Sequence, residues 1–151
     1  MPSVRTERVA DILERELDTV IAEWLLRVEK DPELMSISMI HKDRTGHLPH
    51  LLHDVIGRLR LDTGGAISKA AAEHGQLRHQ QGYTVAMAVQ ESRLLEVSIF
   101  STLHKNVEHL KLSLLLPDVT IIADEVDAQL KEQMLRFMAE DTAVKSQLVR
   151  K

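Results

Sequence analysis

The chain has 151 residues and a formal net charge of −4, from 19 Lys and Arg against 23 Asp and Glu. This length is typical of one domain with its own core, and the mild acidity gives no general attraction to nucleic acid or anionic lipid. The absence of Cys excludes disulfides, thiolate metal sites and a Cys nucleophile, and only 3% aromatic residues predict an aliphatic core.

Apolar residues at spacings of three and four predict a first helix from about Val4 to Glu29, which Asp31-Pro32 should end. Trp24 lies on the apolar stripe of this helix and is predicted to be a core anchor. Residues 33–48 are less regular. They predict a short helix within 34–40 and a solvated loop over 41–46.

A second long helix is predicted from Leu48-Pro49 to about Leu61, because Pro is tolerated in the first helical turn. The sequence Asp62-Thr63-Gly64-Gly65 predicts a turn. An Ala-rich helix should then run from Ala66 to about Gln80, and its small residues permit close packing against a neighbouring helix. Gly82 is suited to cap its C-terminus.

Thr84 is a suitable N-cap for the longest apolar-periodic segment, predicted as a central helix from Thr84 to about Leu112. Its apolar arc is wide enough to face both a core and a partner subunit. The segment Leu114 to Asp118, which contains Pro117, should end this helix and begin the last one. At ~1.5 Å per residue the last helix, from Asp118 towards Val149, would span roughly 45 Å.

No strand-like alternation or internal repeat is present, so the sequence predicts an all-α fold. We expect one helical domain over residues 1–151, with five to six helices in a globin-like or up-down bundle arrangement. The last helix becomes polar after Phe137. Residues 118–151 therefore look like a long C-terminal connector helix that leads to a downstream effector.

The stretch Glu73 to Tyr83 is an unusually polar corner between the Ala-rich and central helices. If the chain folds back there, Arg78 and Glu91 can pair across the two helices. One interpretation is a polar network that fixes the angle between these helices. The other is a pocket for a small anionic ligand. The candidate residues are His74, Arg78, His79, Gln81, Glu91 and Arg93.

Other chemistry has weaker support. His47, His50 and His53 are spaced by three residues but lack a complete zinc signature, so we expect no metal site. A haem pocket would need apolar and aromatic walls that two Phe do not supply, and we expect no cofactor. His104 on the central helix leaves a phosphotransfer module as an alternative. Because phosphate-loop and nucleophile-elbow motifs are missing, we expect no enzymatic activity.

The segment His74-Gly75-x-x-Arg78-x-x-Gln81-Gly82-Tyr83-Thr84, followed by Val89-x-Glu91-x-Arg93-x-Leu95, resembles the signature of the N-terminal domain of RsbR-type (RsbT co-antagonist) proteins. Similar domains stand at the N-terminus of some bacterial sensor histidine kinases. Weaker matches extend the resemblance to roughly Val9–Met138. The signature positions that it singles out are His74, Arg78, Gln81, Gly82, Tyr83, Glu91 and Arg93.

The resemblance implies a bacterial, cytoplasmic signal-input domain, globin-like but without haem, that forms homodimers and carries no catalysis of its own. Its effector would be a STAS domain of a stressosome-type complex or a histidine-kinase core, in the same chain or in a partner protein. The charged N-terminus and the lack of an apolar run of ~20 residues predict neither a signal peptide nor a membrane span. A small-ligand or haem-binding globin-like sensor is the alternative function.

Overall fold

The computed structural model describes residues 6–60 and 69–149. The predicted all-α class is confirmed, because the only strand-like pairing in these ranges is one isolated bridge between Glu7 and Leu110. The helices are α1 (Val9–Arg15), α2 (Leu17–Glu29), α3 (Pro32–Met35), α4 (His41–Thr45), α5 (Leu48–Leu59), α6 (Lys69–Gln80), α7 (Val85–Lys105) and α8 (Leu112–Val149), with a 3-10 turn at Val107–His109.

The predicted first helix is in fact two helices that meet at Glu16, whose φ of −101° and ψ of 20° leave the helical region. Neither Gly nor Pro marks this break in the sequence. It arises from packing, because α1 lies mainly against α5 whereas α2 lies mainly against α7. Trp24 on α2 is 1% exposed, which confirms it as a core residue. The predicted start at Val4 lies outside the described residues.

The end of α2 before Asp31-Pro32 is confirmed, and the Asp31 carboxylate accepts hydrogen bonds from the backbone N–H groups of Glu33 and Leu34 at 3.0 and 3.1 Å. This cap begins α3 immediately, with Pro32 at its first position. The prediction of a solvated loop over 41–46 is wrong. Residues His41–Thr45 form α4 because the side chain of Arg44 is drawn into the core.

The corner after α6 forms as the sequence predicts. Gly82 has a φ of +87°, a conformation that other residues rarely adopt, and it lets the chain turn after Gln80. The hydroxyl of Thr84 accepts a hydrogen bond from the backbone N–H of Met87 at 3.2 Å and caps α7. The predicted turn at residues 62–65 and the predicted helix start at Ala66 lie outside the described residues.

The predicted boundary between the last two helices is wrong. The chain leaves α7 at Lys105, and α8 already begins at Leu112, so that Pro117 lies inside α8 instead of before it. A proline removes one backbone donor from a helix. Burial of Asp118, Ile122 and Val126 just after it anchors this part of α8 in the domain, and the helix continues.

Helix α8 is longer than predicted and connects most of the domain. Its 38 residues span about 57 Å at ~1.5 Å each, and it packs along α6, α5 and α7. Its last buried residue is Phe137, and residues 142–149 are all exposed. The final turns therefore extend beyond the core. Among the described residues, no helix has both the length and the apolar character needed to cross a membrane.

Candidate functional site

A buried ion pair joins α6 to α7 at the polar corner. The Nε of Arg78 donates to Oε1 of Glu91 at 2.9 Å, and the two side chains are only 1% and 5% exposed. The turn at Gly82 brings these residues together, since it reverses the chain between the two helices. A buried pair of this kind is stable only if its other donors and acceptors are also satisfied.

The remaining donors of Arg78 reach three other parts of the chain. One Nη donates to Gln81 Oε1 at 2.7 Å and also lies 3.6 Å from Met39 Sδ, and the other Nη donates to the backbone carbonyl of Arg44 at 2.7 Å. The guanidinium lies 4.9 Å from the centre of the Tyr83 ring, within cation–π distance. Arg78 therefore ties the segment before α5 to the corner between α6 and α7.

Glu91 accepts hydrogen bonds at both carboxylate oxygens. Tyr83 donates its hydroxyl to Oε2 at 2.7 Å, and His74 Nε2 lies 3.4 Å from Oε1. The indole N–H of Trp24 donates to the Glu91 backbone carbonyl at 3.1 Å, which anchors α2 to the same residue. Burial alone would raise the pKa of Glu91, but His74, Arg78 and Tyr83 outweigh it and hold that pKa below its usual value. Glu91 is therefore ionised at neutral pH.

Two histidines extend this network towards the surface. Nδ1 of His47, the residue before α5, lies 3.1 Å from Nδ1 of His74, and the rings meet edge to face with 5.2 Å between centroids. Burial lowers the pKa of both imidazoles, and the positive charge of Arg78 lowers them further. Both rings are therefore neutral at pH 7. Because His74 presents Nε2–H to Glu91, its Nδ1 is left to accept the Nδ1–H of His47.

The next residue on α6, Gly75, makes the closest approach to α8. A Cβ placed on Gly75 would lie 2.3 Å from the backbone carbonyl oxygen of Gln133 and 2.8 Å from its Cα. Ala71, one turn earlier, is fully buried. The small residues of α6 thus allow its backbone to lie directly on that of α8, beside His74.

A small cavity lies between His74, Glu91 and α8. Its volume is about 10 Å³, enough for about one water molecule, whereas ligand pockets typically measure ~300 Å³ or more. Binding of a metabolite at this corner would therefore require the helices to separate. The lining residues are Trp24, Leu48, Leu51, His74, Glu91, Ser92, Leu95, Gln129 and Gln133.

The structure brings together most, but not all, of the residues that the sequence singled out. His74, Arg78, Gln81, Tyr83 and Glu91 form one connected cluster, and Gly82 supplies the turn beside it. Arg93 lies outside this cluster. Its side chain is exposed and donates to Gln90 Oε1 at 3.1 Å. His79 instead faces α8, where its ring contacts Phe137 and its Nε2 lies 3.6 Å from Asp141.

Sequence reasoning missed two members of the cluster. Arg44, expected in a solvated loop, is 2% exposed, and it donates to Tyr83 Oη at 3.3 Å and to the Ile37 carbonyl at 2.8 Å. His47 was considered only as part of a metal site. No local signal distinguishes either residue, because the side chains that connect them to the cluster, Tyr83 and His74, lie 39 and 27 positions away in the chain.

The remaining histidines do not assemble into a further site. His50 and His53 are exposed and lie outside the contact between the half-buried His47 and the buried His74, and His104 is exposed in the last turn of α7. Throughout residues 6–60 and 69–149, no three or more His, Asp or Glu side chains are arranged to hold a metal ion.

The cluster is chemically suited to holding helices and storing protons. In the described parts of the chain, every buried side-chain nitrogen and oxygen has a hydrogen-bond partner. The network contains a carboxylate, two neutral imidazoles and a phenol, and burial together with the charge of Glu91 raises the pKa of that phenol, Tyr83. Such a network makes one helix arrangement specific, because any other arrangement would leave buried charges unpaired.

Removing the Tyr83 hydroxyl should measurably weaken this network. We expect Tyr83→Phe to lower the free energy of unfolding by about 1–3 kcal/mol, because Glu91 Oε2 loses its donor and Arg44 an acceptor while the ring remains. Urea denaturation at pH 7 measures the change. A loss below about 0.5 kcal/mol, the range of ordinary surface substitutions, would show that the hydroxyl does not support the cluster.

Comparison with known proteins adds no identification: no family model, no curated protein and no solved structure matches this chain. The resemblance to the RsbR-type domain therefore stays a prediction that depends on the residues of the polar corner.

Proposed function

We propose that this chain is a non-catalytic signal-input domain that passes a change in helix packing to an effector through α8. The observation that supports this proposal most directly is the course of α8. Its middle part lies against Gly75 beside the polar cluster, and its last turns, residues 142–149, extend past the core. One rigid element thus joins a buried polar site to the end of the described chain.

The contacts between α6 and α8 suit such transmission. Gly75 leaves no space between the two backbones, so a displacement of α6 must move α8 or open the contact. Gln129 on α8 donates to the Leu51 carbonyl and to Glu125, both at 2.9 Å, and holds α8 to α5 as well. Packed elements of this type shift between discrete arrangements and do not deform smoothly.

We further propose that the domain acts as a homodimer formed through α7. Val85, Val89 and Val97 are exposed at multiples of four residues and make one apolar stripe, which Arg93 interrupts. Glu96 lies beside the stripe, and burial together with the charge of Asp127 on α8 raises its pKa. In a twofold dimer the positive charge of Arg93 in one copy would balance the negative charges of Glu96 and Asp127 in the other. The stripe is therefore complementary to itself.

Charged substitutions in this stripe should dissociate the dimer. We expect the double variant Val89→Glu and Val97→Glu to be monomeric at concentrations where the native protein is dimeric, because it places four carboxylates in the interface. Light scattering after size exclusion gives the mass. Leu26→Glu is the matched control, since Leu26 is an exposed apolar residue on α2 and should leave the dimer intact. A native protein that is monomeric at high concentration would contradict the dimer.

Spin labels can test whether the two α8 helices of the dimer end close together, as a shared effector would require. The chain has no Cys, so Ala143→Cys provides a single labelling site in the exposed last turns. Two copies with parallel α8 helices hold the labels close together, whereas antiparallel helices hold them far apart. A long distance between labels would contradict transmission to one shared effector.

The proposal includes no cofactor, no nucleic acid and no enzymatic activity in these residues. The effector would be a STAS or histidine-kinase domain, in the same chain or in a partner, as the resemblance implies, and the setting would be the bacterial cytoplasm. A protein that co-purifies in a fixed ratio and requires residues 142–149 would support the connector role. An effector that still responds normally after these residues are deleted would contradict it.

A further inference from the structure

The His47–His74 contact has no part in the ion pair that holds the corner, yet it is closely defined. Two imidazole Nδ1 atoms 3.1 Å apart can form a hydrogen bond only if one carries a proton and the other does not. His74 is 5% exposed at its side chain, and its other nitrogen faces Glu91, so its ring cannot turn to solvent. The contact therefore depends on the protonation state of both rings.

Protonation of His74 breaks this contact, whereas a proton on His47 alone leaves its Nδ1–H in place to donate. If His74 takes up a proton, its Nδ1 becomes a donor and faces the Nδ1–H of His47, and the hydrogen bond is lost unless His47 rearranges. If both rings are protonated, two cations stand in contact near a third, Arg78. Glu91 can compensate only one of these charges, and it is already paired with Arg78.

The charges around the pair are few, and burial of the rings outweighs their sum, so the pKa of both imidazoles is lowered. Helix α6 contributes Arg78 and Glu73, α5 contributes His50, and α7 contributes Glu91. The groups that α2 and α8 place at this cavity are uncharged: Trp24, Gln129 and Gln133. Arg44, on α4, is turned to Tyr83 and Ile37. Only the partly solvated His47 has an easy route for a proton from water.

The location of the pair gives protonation a mechanical consequence. His74 precedes Gly75, whose backbone lies on Gln133 of α8 without room for a methyl group. His47 directly precedes α5, which also packs against α8. Separation of the two rings thus moves α5 and α6 relative to the helix that leaves the domain.

We propose that the His47–His74 pair is a proton-sensitive contact that holds α6 against α8 at neutral pH and releases α6 on acidification. The release itself depends only on the geometry of the two rings. Its use as a signal rests on the proposed function of α8. The domain would then respond to acid as an input.

The sign of the pH dependence follows from the two histidines. Burial lowers the pKa of both in the folded protein, so their contribution to stability is complete above about pH 6.5 and is lost as pH falls towards the folded values. For each histidine that titrates, the equilibrium constant that favours the closed contact over the separated one falls by about tenfold per pH unit. Glu91 acts in a separate window, since its lowered pKa causes loss only below about pH 4.5.

Two measurements on the native chain test the proposal. Nitrogen-15 NMR of the histidine rings between pH 7.5 and 5 should show His47 and His74 protonating below the ordinary imidazole pKa of about 6.5, with His74 carrying its proton on Nε2 at pH 7.5. Over the same range, hydrogen-exchange protection of the α6 amides should fall below pH 6.5 by about tenfold per pH unit for each of the two rings that titrates, after correction for intrinsic exchange. Protection of the α2 amides serves as the internal reference.

A variant separates the pair from general acid effects. His47→Asn retains a polar atom near the position of Nδ1 but does not titrate, and it should lose most of the pH-dependent change in α6 protection. His53→Asn, on the exposed face of α5, should behave like the native protein. Equal pH dependence in native protein and His47→Asn would overturn the proposal. A His74 whose pKa is at or above about 6.5 would overturn it as well, and that measurement uses native protein even if the variant does not fold.

Light scattering at pH 7.5 and at pH 5 gives the oligomeric state, and it keeps this test distinct from that of the proposed function. A dimer whose α6 protection does not change with pH would overturn only the proton-sensitive contact. A monomer in which α6 protection falls on acidification would overturn only the dimer and would leave the contact in place.

Discussion

Gly75→Ala is expected to destabilise the protein by about 3 kcal/mol, the upper part of the range for an overpacked core. The added methyl group would lie 2.3 Å from the Gln133 carbonyl oxygen and within 3 Å of two further backbone atoms. Backbone atoms of a helix cannot rotate away as a side-chain end can, so α6 and α8 must separate. This loss outweighs the gain of roughly 1 kcal/mol that Ala brings over Gly inside a helix.

Gly57→Ala is the matched control for this substitution. Gly57 also lies inside a helix, α5, but a Cβ there would meet no atom within 4 Å. We expect the control to stabilise the protein by about 0.5–1 kcal/mol through helix propensity alone. Urea denaturation of both variants at pH 7 measures the difference. If the two variants behave alike, the close contact of α6 with α8 is not part of the folded structure.

Arg78→Met is expected to cost about 3–5 kcal/mol, because it leaves the carboxylate of Glu91 buried without its cation. Methionine keeps much of the side-chain length but supplies none of the bonds to Glu91, Gln81 and the Arg44 carbonyl. Arg136→Met, on α8 and outside the proposed α7 interface, is the matched control. The Arg136 side chain is exposed, and its loss should change the free energy of unfolding by no more than about 0.5 kcal/mol.

The pH dependence of Arg78→Met identifies the cause of its loss. In the native protein the ionised Glu91 contributes stability above about pH 4.5, and this is lost at lower pH. Without Arg78, burial favours the protonated carboxyl group, whose pKa in the folded state rises. The stability gap between variant and native protein should therefore narrow as pH falls from 7 to 4. A gap that stays constant would assign the loss to packing instead of charge.

A double-mutant cycle gives a second check on the ion pair. Arg78→Met combined with Glu91→Met removes both charges and replaces them with apolar groups. We expect the double variant to lose clearly less than the sum of the two single losses, because no buried charge is left unpaired. Additive losses would show that Arg78 and Glu91 contribute independently.

The sequence predicted the polar corner better than it predicted the surroundings. Arg78 and Glu91 are only 13 positions apart and are separated by one turn with a Gly, so their pairing follows from local geometry, and they are 2.9 Å apart in the structure. The contacts that connect Arg44 and His47 to this corner come from Tyr83 and His74, 39 and 27 positions away in the chain. The sequence context of Arg44 and His47, a polar segment with Gly and Pro, is typical of a solvated loop.

The helix boundaries also show this difference between local signals and distant contacts. Thr84 caps α7 where the sequence indicates, because a cap depends on one side chain and the next three residues. The break at Glu16 and the continuation of α8 through Pro117 contradict the local pattern. In both places, packing against other helices determined the result.

The sequence by itself determined the all-α class and the reversal at Gly82, because apolar periodicity and the conformational freedom of glycine are properties of neighbouring residues. Only the tertiary structure decided that α6 lies directly on α8 at Gly75 and that His47 meets His74. These contacts join residues 58 and 27 positions apart, and no local rule encodes which of many small or polar side chains will meet. They connect the polar corner to the helix that leaves the domain.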